Sequence, residues 1–447
     1  MIVEPNGVIG ILGGGQLGRM LALAAARLGL RAHIYTPEEN SPAADVAHGV
    51  TIGDYADADR LRAFGDVVNV VTYEFENVPA QTVDILAANG VHVAPGAKAL
   101  GIAQDRLIEK EFVASLGART APYFPVNDLA SLENGLRQVG RPAILKTRRL
   151  GYDGKGQTTI GADDGDLAGT WDAAIKKAWD EIGARPSILE GFIDFAMEIS
   201  VIGARGGDGA IRCYDSPRNI HKGGILRQSI VPSSAPDGAV REAHAITAKM
   251  LAALDYVGVI GVEFFVEKSG GVIVNEFAPR VHNSGHWTQD ACAISQFEQH
   301  IRAVAGWPLG DPKRHSDCVM DNLIGDEAER WRELSREPNT CIHLYGKRDA
   351  LPGRKMGHVT RVVKQTYSLR RNPHGNEIKT VLANDSRICG SIVHQADGTY
   401  RIFIDTLCYD PEEDVHYWSQ TNAPRVGIFG TVDDAERELA FIFGATR

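Results

Sequence analysis

Two apolar, β-rich runs joined by a glycine turn constrain this chain more than any other stretch: VIGVEFFVE at 259–267 and GVIVNEF at 271–277. The intervening Lys268-Ser269-Gly270-Gly271 predicts a hairpin, because glycine supplies the positive φ of a tight connection. If the loop is Ser269-Gly270, Glu263 lies directly across from Glu276. The hairpin therefore places two carboxylates side by side on one face.

Like charges that face each other on a sheet repel, so a cation between Glu263 and Glu276 is expected. Mg²⁺ is usually held by one or two carboxylates together with substrate phosphates. Two alternatives stay open. One glutamate points to solvent while the other pairs with Arg280, or a longer loop makes their contact diagonal.

The composition excludes several classes of protein. The chain has 447 residues, a net charge of −10 and 44% hydrophobic residues, which is typical of a soluble protein of about three domains and argues against a general nucleic-acid binder. Six cysteines without regular spacing indicate reduced thiols. With no basic leader or apolar span, we expect a cytoplasmic protein that binds neither nucleic acid nor membrane.

The N-terminus begins with a βαβ pattern. The strand VIGIL is followed by Gly13-Gly14-Gly15-Gln16-Leu17-Gly18, a helix over about 16–28 and the strand RAHIYT. The spacing fits GxGxxG, but Thr36 stands where a dinucleotide fold needs an acidic residue, which weakens a nicotinamide function. The physical expectation that remains is an anion at the helix N-terminus.

Alternating strands and helices continue to about residue 100 and predict a doubly wound domain. Glu74 and Glu76 follow the strand VVTY at its carboxyl end, where open α/β sheets bind ligands. Either glutamate is a candidate substrate contact, and a solvated strand end is the alternative.

A second glycine-rich segment, RPAILKTRRLGYDGKGQTTI, predicts a strand, a loop and a strand, with Lys146 near the end of the first strand. Such a loop can cover phosphates with its N–H groups while a lysine neutralises charge. A hairpin tip with a solvated lysine is the alternative. Farther on, Glu190 and Glu198 interrupt apolar surroundings, so they need partners such as an adenosine or an arginine.

The rest of the chain carries weaker patterns. Helices are predicted over 103–116 and 291–305, and a Pro352-Gly353 turn could bring Lys347 and Arg354 to one anion. From about residue 365 a linker, a hairpin at Asp397-Gly398 and a helix capped by Thr431 predict a small α+β module.

Together these segments resemble the ATP-grasp superfamily. The strings GILGGGQLGRML, YEFENVP, LKTRRLGYDGKGQ, LEGFI and NEFAPRVHNSGHWT are similar to those of the 5-(carboxyamino)imidazole ribonucleotide synthetases, a family of purine-biosynthesis enzymes, over roughly residues 7–364. The resemblance implies an α/β ATP-grasp fold with a Rossmann-like domain at 1–102, a lid region at 103–190, a core at 191–315, a substrate-phosphate module at 316–364 and an appended module at 365–447.

The resemblance also implies site residues. For ATP they are Arg106, Lys146, Gly151, Tyr152, Asp153, Gly154, Lys155, Gly156, Gln157, Glu190, Gly191, Phe192, Ile193, Glu198, His221, Asn275 and Glu276. For the ribonucleotide they are Gly15, Gln16, Leu17, Glu76, Tyr152, Asp153, Lys155, His282, Asn283, Lys347 and Arg354. Glu263 and Glu276 match the Mg²⁺ site, and Ala278 stands where some relatives carry an asparagine that serves a second metal.

The implied reaction carboxylates 5-aminoimidazole ribonucleotide with bicarbonate and ATP, through carboxyphosphate. Lys146, Arg280 and Asp153 are the expected catalytic residues, which stabilise the transferring phosphoryl group, hold bicarbonate and orient the substrate amine, respectively. A homodimer is expected. The alternatives are another ATP-grasp ligase such as the formate-using glycinamide ribonucleotide transformylase, a dinucleotide-dependent oxidoreductase, and an inactive nucleotide-binding module.

Overall fold

The structure, a computed structural model, describes residues 2–151, 156–161, 170–363, 377–382, 388–410, 415–419 and 426–442. The chain divides into two compact units, Met1–Val363 and Lys364–Arg447. Among the described residues no helix combines the length and the apolar character that a membrane span requires.

The first unit begins with a parallel sheet. Its elements are β1 (Val8–Leu12), α1 (Gln16–Arg27), β2 (Arg31–Thr36), β3 (Gly49–Ile52), α2 (Ala58–Gly65), β4 (Val70–Tyr73) and α3 (Ala80–Ala88). The strand order is β3-β2-β1-β4, and apolar clusters cover both faces. The predicted doubly wound domain is therefore confirmed.

A smaller antiparallel sheet follows. Its region contains α4 (Ala97–Ala103), α5 (Arg106–Ser115), β5 (Tyr123–Val126), α6 (Leu129–Val139), β6 (Ala143–Thr147), β7 (Gln157–Ile160), α7 (Thr170–Glu181) and β8 (Ser187–Gly191), with strand order β5-β8-β6-β7. The helix predicted over 103–116 is confirmed as α5, but it begins three residues later than predicted. Asp105 accepts a hydrogen bond from the Leu107 N–H and so begins a separate helix, α5, at Arg106.

The largest sheet is antiparallel and runs β14-β13-β9-β11-β12-β15-β17-β16, with β10 on β9. Its region comprises β9 (Phe195–Arg205), β10 (Ile211–Cys213), β11 (Arg218–Lys222), β12 (Ile225–Val231), α8 (Asp237–Ala253), β13 (Gly258–Glu267), β14 (Val272–Ala278), α9 (Thr288–Ala291), α10 (Gln296–Val304), β15 (Asp317–Ile324), α11 (Trp331–Leu334), β16 (Thr340–Leu344) and β17 (Lys355–Val363).

The helix predicted over 291–305 is also interrupted. The short helix α9 ends at Ala291, and α10 begins at Gln296 because Ser295 caps it by accepting from the Glu298 N–H. The prediction missed this break because the apolar spacing continues across it.

The β13–β14 hairpin forms, but its loop is not the predicted two residues. The Glu267 N–H donates to the Gly271 carbonyl, so the loop is Lys268–Gly270, and Gly270 has φ of 91°. The extra loop residue shifts the register, and a bulge between Val262 and Phe264 shifts it back, so that Val262 pairs with Phe277. Glu263 therefore lies at the bulge, beside Glu276.

The second unit contains β18 (Glu377–Leu382), β19 (Ile388–His394), β20 (Tyr400–Asp410), β21 (Val415–Ser419), β22 (Val426–Phe429) and α12 (Val432–Ile442). The predicted hairpin is confirmed, with Gly398 at φ of 82° in the turn between β19 and β20. The predicted cap is confirmed as well, because Thr431 Oγ1 accepts from the Asp434 N–H at 3.2 Å. The predicted linker falls mostly on residues 364–376, outside the described residues.

Candidate active site

The glycine turn at the start of α1 encloses a carboxylate of the chain itself. The Gly18 N–H donates to Glu74 Oε2 at 2.7 Å, and the Gly15 N–H donates to Oε1. Gly13 has φ of 115°, and a Cβ there would lie 2.3 Å from Glu74 Cγ. The predicted anion position at the helix N-terminus is thus filled by the Glu74 carboxyl group, whose pKa burial raises against the two N–H donors. Any substrate contact from Gly15, Gln16 or Leu17 must use other groups.

Glu76 lies two residues farther on and pairs with Arg280, whose Nε donates to Glu76 Oε2. Burial alone would raise the pKa of Glu76, but the Arg280 guanidinium outweighs it and holds that pKa below its usual range. Arg280 Nη1 also donates to the Val281 carbonyl at 3.1 Å. Arg280, the residue predicted to hold bicarbonate, is therefore held in position by Glu76, a predicted substrate contact.

Three buried charges lie together between α5, β6 and β8. Lys146 Nζ is 3.0 Å and Lys110 Nζ is 3.3 Å from Glu190 Oε2, and Lys110 also donates to the Asn275 carbonyl at 2.8 Å. Although burial raises the pKa of Glu190, the two lysines lower it to about 2. Glu190 is therefore ionised, and its buried Oε1 has no hydrogen-bond partner among the described residues.

The two hairpin glutamates differ in their surroundings. Arg106 Nη1 donates to Glu276 Oε2 at 2.6 Å, and this cation outweighs burial, so that the pKa of Glu276 is lowered. Among the described residues no arginine or lysine pairs with Glu263, and burial followed by the charge of Glu276 raises its pKa. A further cation near Glu263 would relieve both effects.

Glu198 and His221 adjoin Glu263. His221 Nδ1 lies 2.7 Å from Glu198 Oε2, and one ligand-type atom from each of the three residues lies within 4.8 Å of the others. Carboxylate oxygens are the ligands that Mg²⁺ prefers. Together with the raised pKa of Glu263, this donor set fits a divalent cation beside Glu263 and Glu276.

His282 and Asn283 follow the hairpin. Burial, and after it the Arg280 charge, lowers the pKa of His282 to about 3, so its ring is neutral, with Nε2 at 3.5 Å from Glu263 Oε1. Asn283 and Asn322 exchange amide hydrogen bonds of 2.9 and 2.8 Å. His282 thus connects the carboxylate pair with the Arg280 end of the site.

The Pro352-Gly353 turn closes as predicted. The Arg354 N–H donates to the Leu351 carbonyl at 3.0 Å, and Gly353 has φ of 78°. Lys347 Nζ donates to the carbonyl of Lys355, the residue after Arg354, at 2.6 Å. The turn therefore brings the two predicted phosphate contacts into one short segment.

Part of the predicted nucleotide contact lies at the ends of the second glycine loop. Tyr152, Asp153, Gly154 and Lys155 fall outside the described residues. Gly156 accepts from the Thr147 N–H at 2.8 Å, and Gln157 pairs with Lys146, so the loop returns beside that lysine. At the β8 end, the Gly191 N–H donates to the Pro122 carbonyl, while the Phe192 side chain is 53% exposed next to the half-buried Ile193.

Sequence reasoning missed two residues of α5 that line this region. Lys110 is described above, and Glu109 Oε1 accepts from the Phe277 N–H at 2.6 Å. Burial and the Glu276 charge raise the pKa of Glu109 to about 8. The only available signal was their position three and four residues after Arg106, on one face of a helix.

Comparison with known proteins identifies three matching family models. They are a ribonucleotide synthetase preATP-grasp domain at residues 7–104, an ATP-grasp domain at 111–297 and a phosphoribosylaminoimidazole carboxylase C-terminal domain at 318–372. A curated N5-carboxyaminoimidazole ribonucleotide synthase from Brucella melitensis is 51% identical over 364 residues, which cover 81% of this chain and 98% of that protein.

Two solved structures extend the similarity to the fold. The N5-carboxyaminoimidazole ribonucleotide synthetase of Thermus thermophilus is 42% identical with a TM-score of 0.73, covering 80% of this chain and 94% of its own. The N5-carboxyaminoimidazole synthase of Aspergillus clavatus, in complex with ADP and 5-aminoimidazole ribonucleotide, is 30% identical with a TM-score of 0.74. The similarity covers 81% of this chain and 95% of the Aspergillus chain.

Proposed function

This chain belongs to the N5-carboxyaminoimidazole ribonucleotide synthase family, and on that premise we propose how its residues divide the reaction between them. The enzyme is an ATP-dependent carbon–nitrogen ligase of purine biosynthesis with an ATP-grasp fold. It joins bicarbonate to the exocyclic amine of 5-aminoimidazole ribonucleotide and releases ADP and phosphate.

The observation that carries the assignment is the group of cations around Glu190 and Glu276. Lys110, Lys146 and Arg106 all act electrostatically on Glu190, and Arg106 and Lys146 also act on Glu276. Buried cations at such density need anions, and a triphosphate supplies more negative charge than the two carboxylates alone. We infer that the ATP phosphates bind here, beside Lys146, with the adenine at Glu190–Ile193.

The carboxylates of Glu263 and Glu276 would hold Mg²⁺, and Glu198 and His221 lie beside Glu263. When bound, the ion would neutralise charge on the phosphates of ATP. The residues of this chain do the remaining work. Arg106 keeps Glu276 ionised, and Lys146 stabilises the negative charge that develops as the γ-phosphoryl group moves to bicarbonate.

In the first chemical step a bicarbonate oxygen attacks the γ-phosphorus, ADP leaves, and carboxyphosphate forms. In the second, the amine nitrogen attacks the carboxyl carbon, the bond to the phosphate oxygen breaks, and the nitrogen loses a proton. Arg280 and His282 are proposed to hold the carboxyl group. Arg280 pairs with Glu76 and senses the charge of Glu276, and His282 Nε2 lies 3.5 Å from Glu263 Oε1. Asp153 is proposed to orient the amine.

Lys347 and Arg354 are proposed to bind the ribonucleotide phosphate, with Glu76, Asn283, Tyr152 and Lys155 at the rest of the substrate. A cytoplasmic location is supported by six cysteines that are all free. A homodimer that binds neither nucleic acid nor membrane completes the proposal, and analytical ultracentrifugation of the purified chain checks the homodimer.

The decisive experiment measures ADP release together with transfer of ¹³C from bicarbonate. Release that requires both bicarbonate and 5-aminoimidazole ribonucleotide, with a ¹³C carbamate signal on the product, is expected. Release supported instead by formate with glycinamide ribonucleotide would contradict the proposed substrates and indicate a different ATP-grasp ligase.

A further inference from the structure

A chain of buried polar side chains crosses the large sheet and ends at His282. Ser229 on β12 donates to Asn219 Oδ1 on β11 at 2.8 Å, and Asn219 Nδ2 donates to Ser200 Oγ on β9 at 3.0 Å. Ser200 Oγ donates to Ser284 Oγ at 2.6 Å, which in turn lies 2.8 Å from His282 Nδ1. The three serines are fully buried, and Asn219 is 4% exposed.

The direction of these hydrogen bonds follows from their donors. Asn219 donates its NH₂ group to Ser200, and Ser200 donates its own hydroxyl proton to Ser284. Ser284 then has its hydroxyl proton available for His282 Nδ1. The backbone N–H of Ser284, which can only donate, also points at Nδ1 at 3.4 Å. Both neighbours therefore require a lone pair on Nδ1.

Gln296 fixes the backbone from which the His282 ring projects. Gln296 Oε1 accepts from the His282 N–H at 2.9 Å, and its Nε2 donates to the His282 carbonyl at 2.7 Å, so the backbone of His282 is held from both sides. A neutral imidazole with a lone pair on Nδ1 carries its proton on Nε2. That nitrogen is the one that lies 3.5 Å from Glu263 Oε1, at the metal-type carboxylates.

We propose that Ser229, Asn219, Ser200 and Ser284 are positioning residues that fix His282 as the Nε2–H tautomer, so that the ring presents an N–H donor to the carboxyl group being transferred. The role of the donor in turnover rests on the proposed function, but the tautomer does not. Such a donor stabilises an oxygen that gains negative charge as the carboxyl group reacts, and it cannot serve as the base that removes the amine proton.

The tautomer is read directly by long-range ¹H–¹⁵N spectra of the full-length chain labelled with ¹⁵N-histidine. His282 is identified among the 14 histidines by comparison with His282→Gln. We expect an unprotonated Nδ1 and a protonated Nε2 in the absence of any substrate. A protonated Nδ1 would overturn the proposal, whatever the enzyme does with ATP.

Two variants test the chain of hydrogen bonds. Asn219→Asp keeps the shape of the side chain but replaces its NH₂ donor by a second acceptor oxygen. Ser200 then donates its proton to residue 219 instead of to Ser284. Ser284 can in turn donate to Ser200 and accept from His282, which favours the ring protonated on Nδ1. Ser284→Ala removes one of the two donors to Nδ1 and should give a mixture of tautomers. If both variants fold and leave the His282 signals unchanged, the serines and Asn219 do not set the tautomer.

Turnover supplies the second readout. Ser284→Ala should lower kcat by about 10- to 100-fold with the KM for ATP unchanged, the usual effect of losing a residue that orients a ligating or reacting group. Ser216→Ala is the matched control, because Ser216 is also a buried serine within 3.1 Å of a histidine ring, that of His244. We expect this control to leave kcat and the His282 signals as they are. Loss of turnover in Ser284→Ala with an unaltered tautomer would refute the positioning role.

Discussion

Glu276 is the carboxylate that Arg106 keeps ionised next to the protonation-prone Glu263. Glu276→Gln keeps the size of the side chain but removes the charge. We therefore expect an intact fold, a kcat lowered by about 10²- to 10³-fold, as for other losses of a preorganised electrostatic group, and a higher Mg²⁺ concentration for half-maximal activity. Steady-state ADP release across a Mg²⁺ titration checks this.

Glu267→Gln on the same hairpin is the control for Glu276→Gln. Glu267 pairs with Arg119 near the turn and is half-buried, away from the cation cluster. Its turnover should stay within about twofold of the parent, since its pair with the exposed Arg119 contributes little and involves no proposed site residue. If Glu276→Gln also turns over normally, the metal is held elsewhere.

Arg354 supplies a second prediction for a single residue. Within the described part of the chain its guanidinium donates to the Asp349 carbonyl, at 3.2 Å, and pairs with no carboxylate, so its charge is available to a phosphate. Arg354→Ala should raise the KM for the ribonucleotide by about tenfold or more and leave the KM for ATP unchanged. Arg348→Ala, whose guanidinium contacts Asn40, is the neighbouring control. An equal rise in both KM values would contradict the phosphate assignment.

Glu190 makes stability depend on pH. Its pKa in the folded chain is about 2, below the ordinary 4.5, so the ionised group stabilises the fold above pH 4.5 and this contribution is lost as pH falls towards 2. The full difference between these two pKa values corresponds to about 3 kcal/mol of unfolding free energy. Urea unfolding of the parent and Glu190→Gln should therefore differ most near neutral pH and converge in acid. Glu133→Gln, at an exposed pair on α6, should differ little at any pH.

At the scale of elements, the hairpin shows what could be predicted and what could not. Alternation and the glycine turn correctly predicted β13, β14 and the adjacency of Glu263 and Glu276. The loop length was wrong by one residue, and the bulge at Glu263 compensated for it. A bulge leaves no mark in an apolar pattern. Here Asn275 and Glu276 of β14 together oppose Glu263, while β13 pairs regularly with β9 at this position, with Glu263 opposite Ser200.

The loop itself is testable. Gly270 has φ of 91°, a conformation that costs an alanine about 1–3 kcal/mol, so Gly270→Ala should lower the free energy of unfolding by that amount. Gly101 lies inside α4 with no atom within 4 Å of an added Cβ. Gly101→Ala should instead raise stability by about 0.4–1 kcal/mol. Chemical denaturation measures both, and equal effects would contradict the positive-φ turn.

The glycine turn of α1 and the helix α5 show the limits of prediction at this scale. GxGxxG correctly predicted an anion at the start of α1, but it is the side chain of Glu74 rather than a ligand. Which of Glu74 and Glu76 turns inward depends on the chain direction after β4. In the sequence Lys110 resembles a solvent-exposed helical lysine. In the structure α5 packs against β14, and Lys110 is only 2% exposed.

For the whole molecule, the division of the chain bears on function. Every proposed site residue lies before residue 364, within the first compact unit. The second unit has its own apolar core of Ile392, Ile402, Ile404, Ala435 and Leu439, so its stability does not require side chains from the site.

Removal of residues 366–447 should therefore leave an enzyme that folds and turns over. β17 ends at Val363, so this truncation keeps the whole large sheet, including the hairpin that precedes His282. We expect kcat and both KM values to stay within about twofold of the full chain, because no proposed contact is removed. Steady-state kinetics and circular dichroism of the purified truncation test this. A folded truncation with a raised KM for the ribonucleotide would show that the second unit contributes to the substrate site.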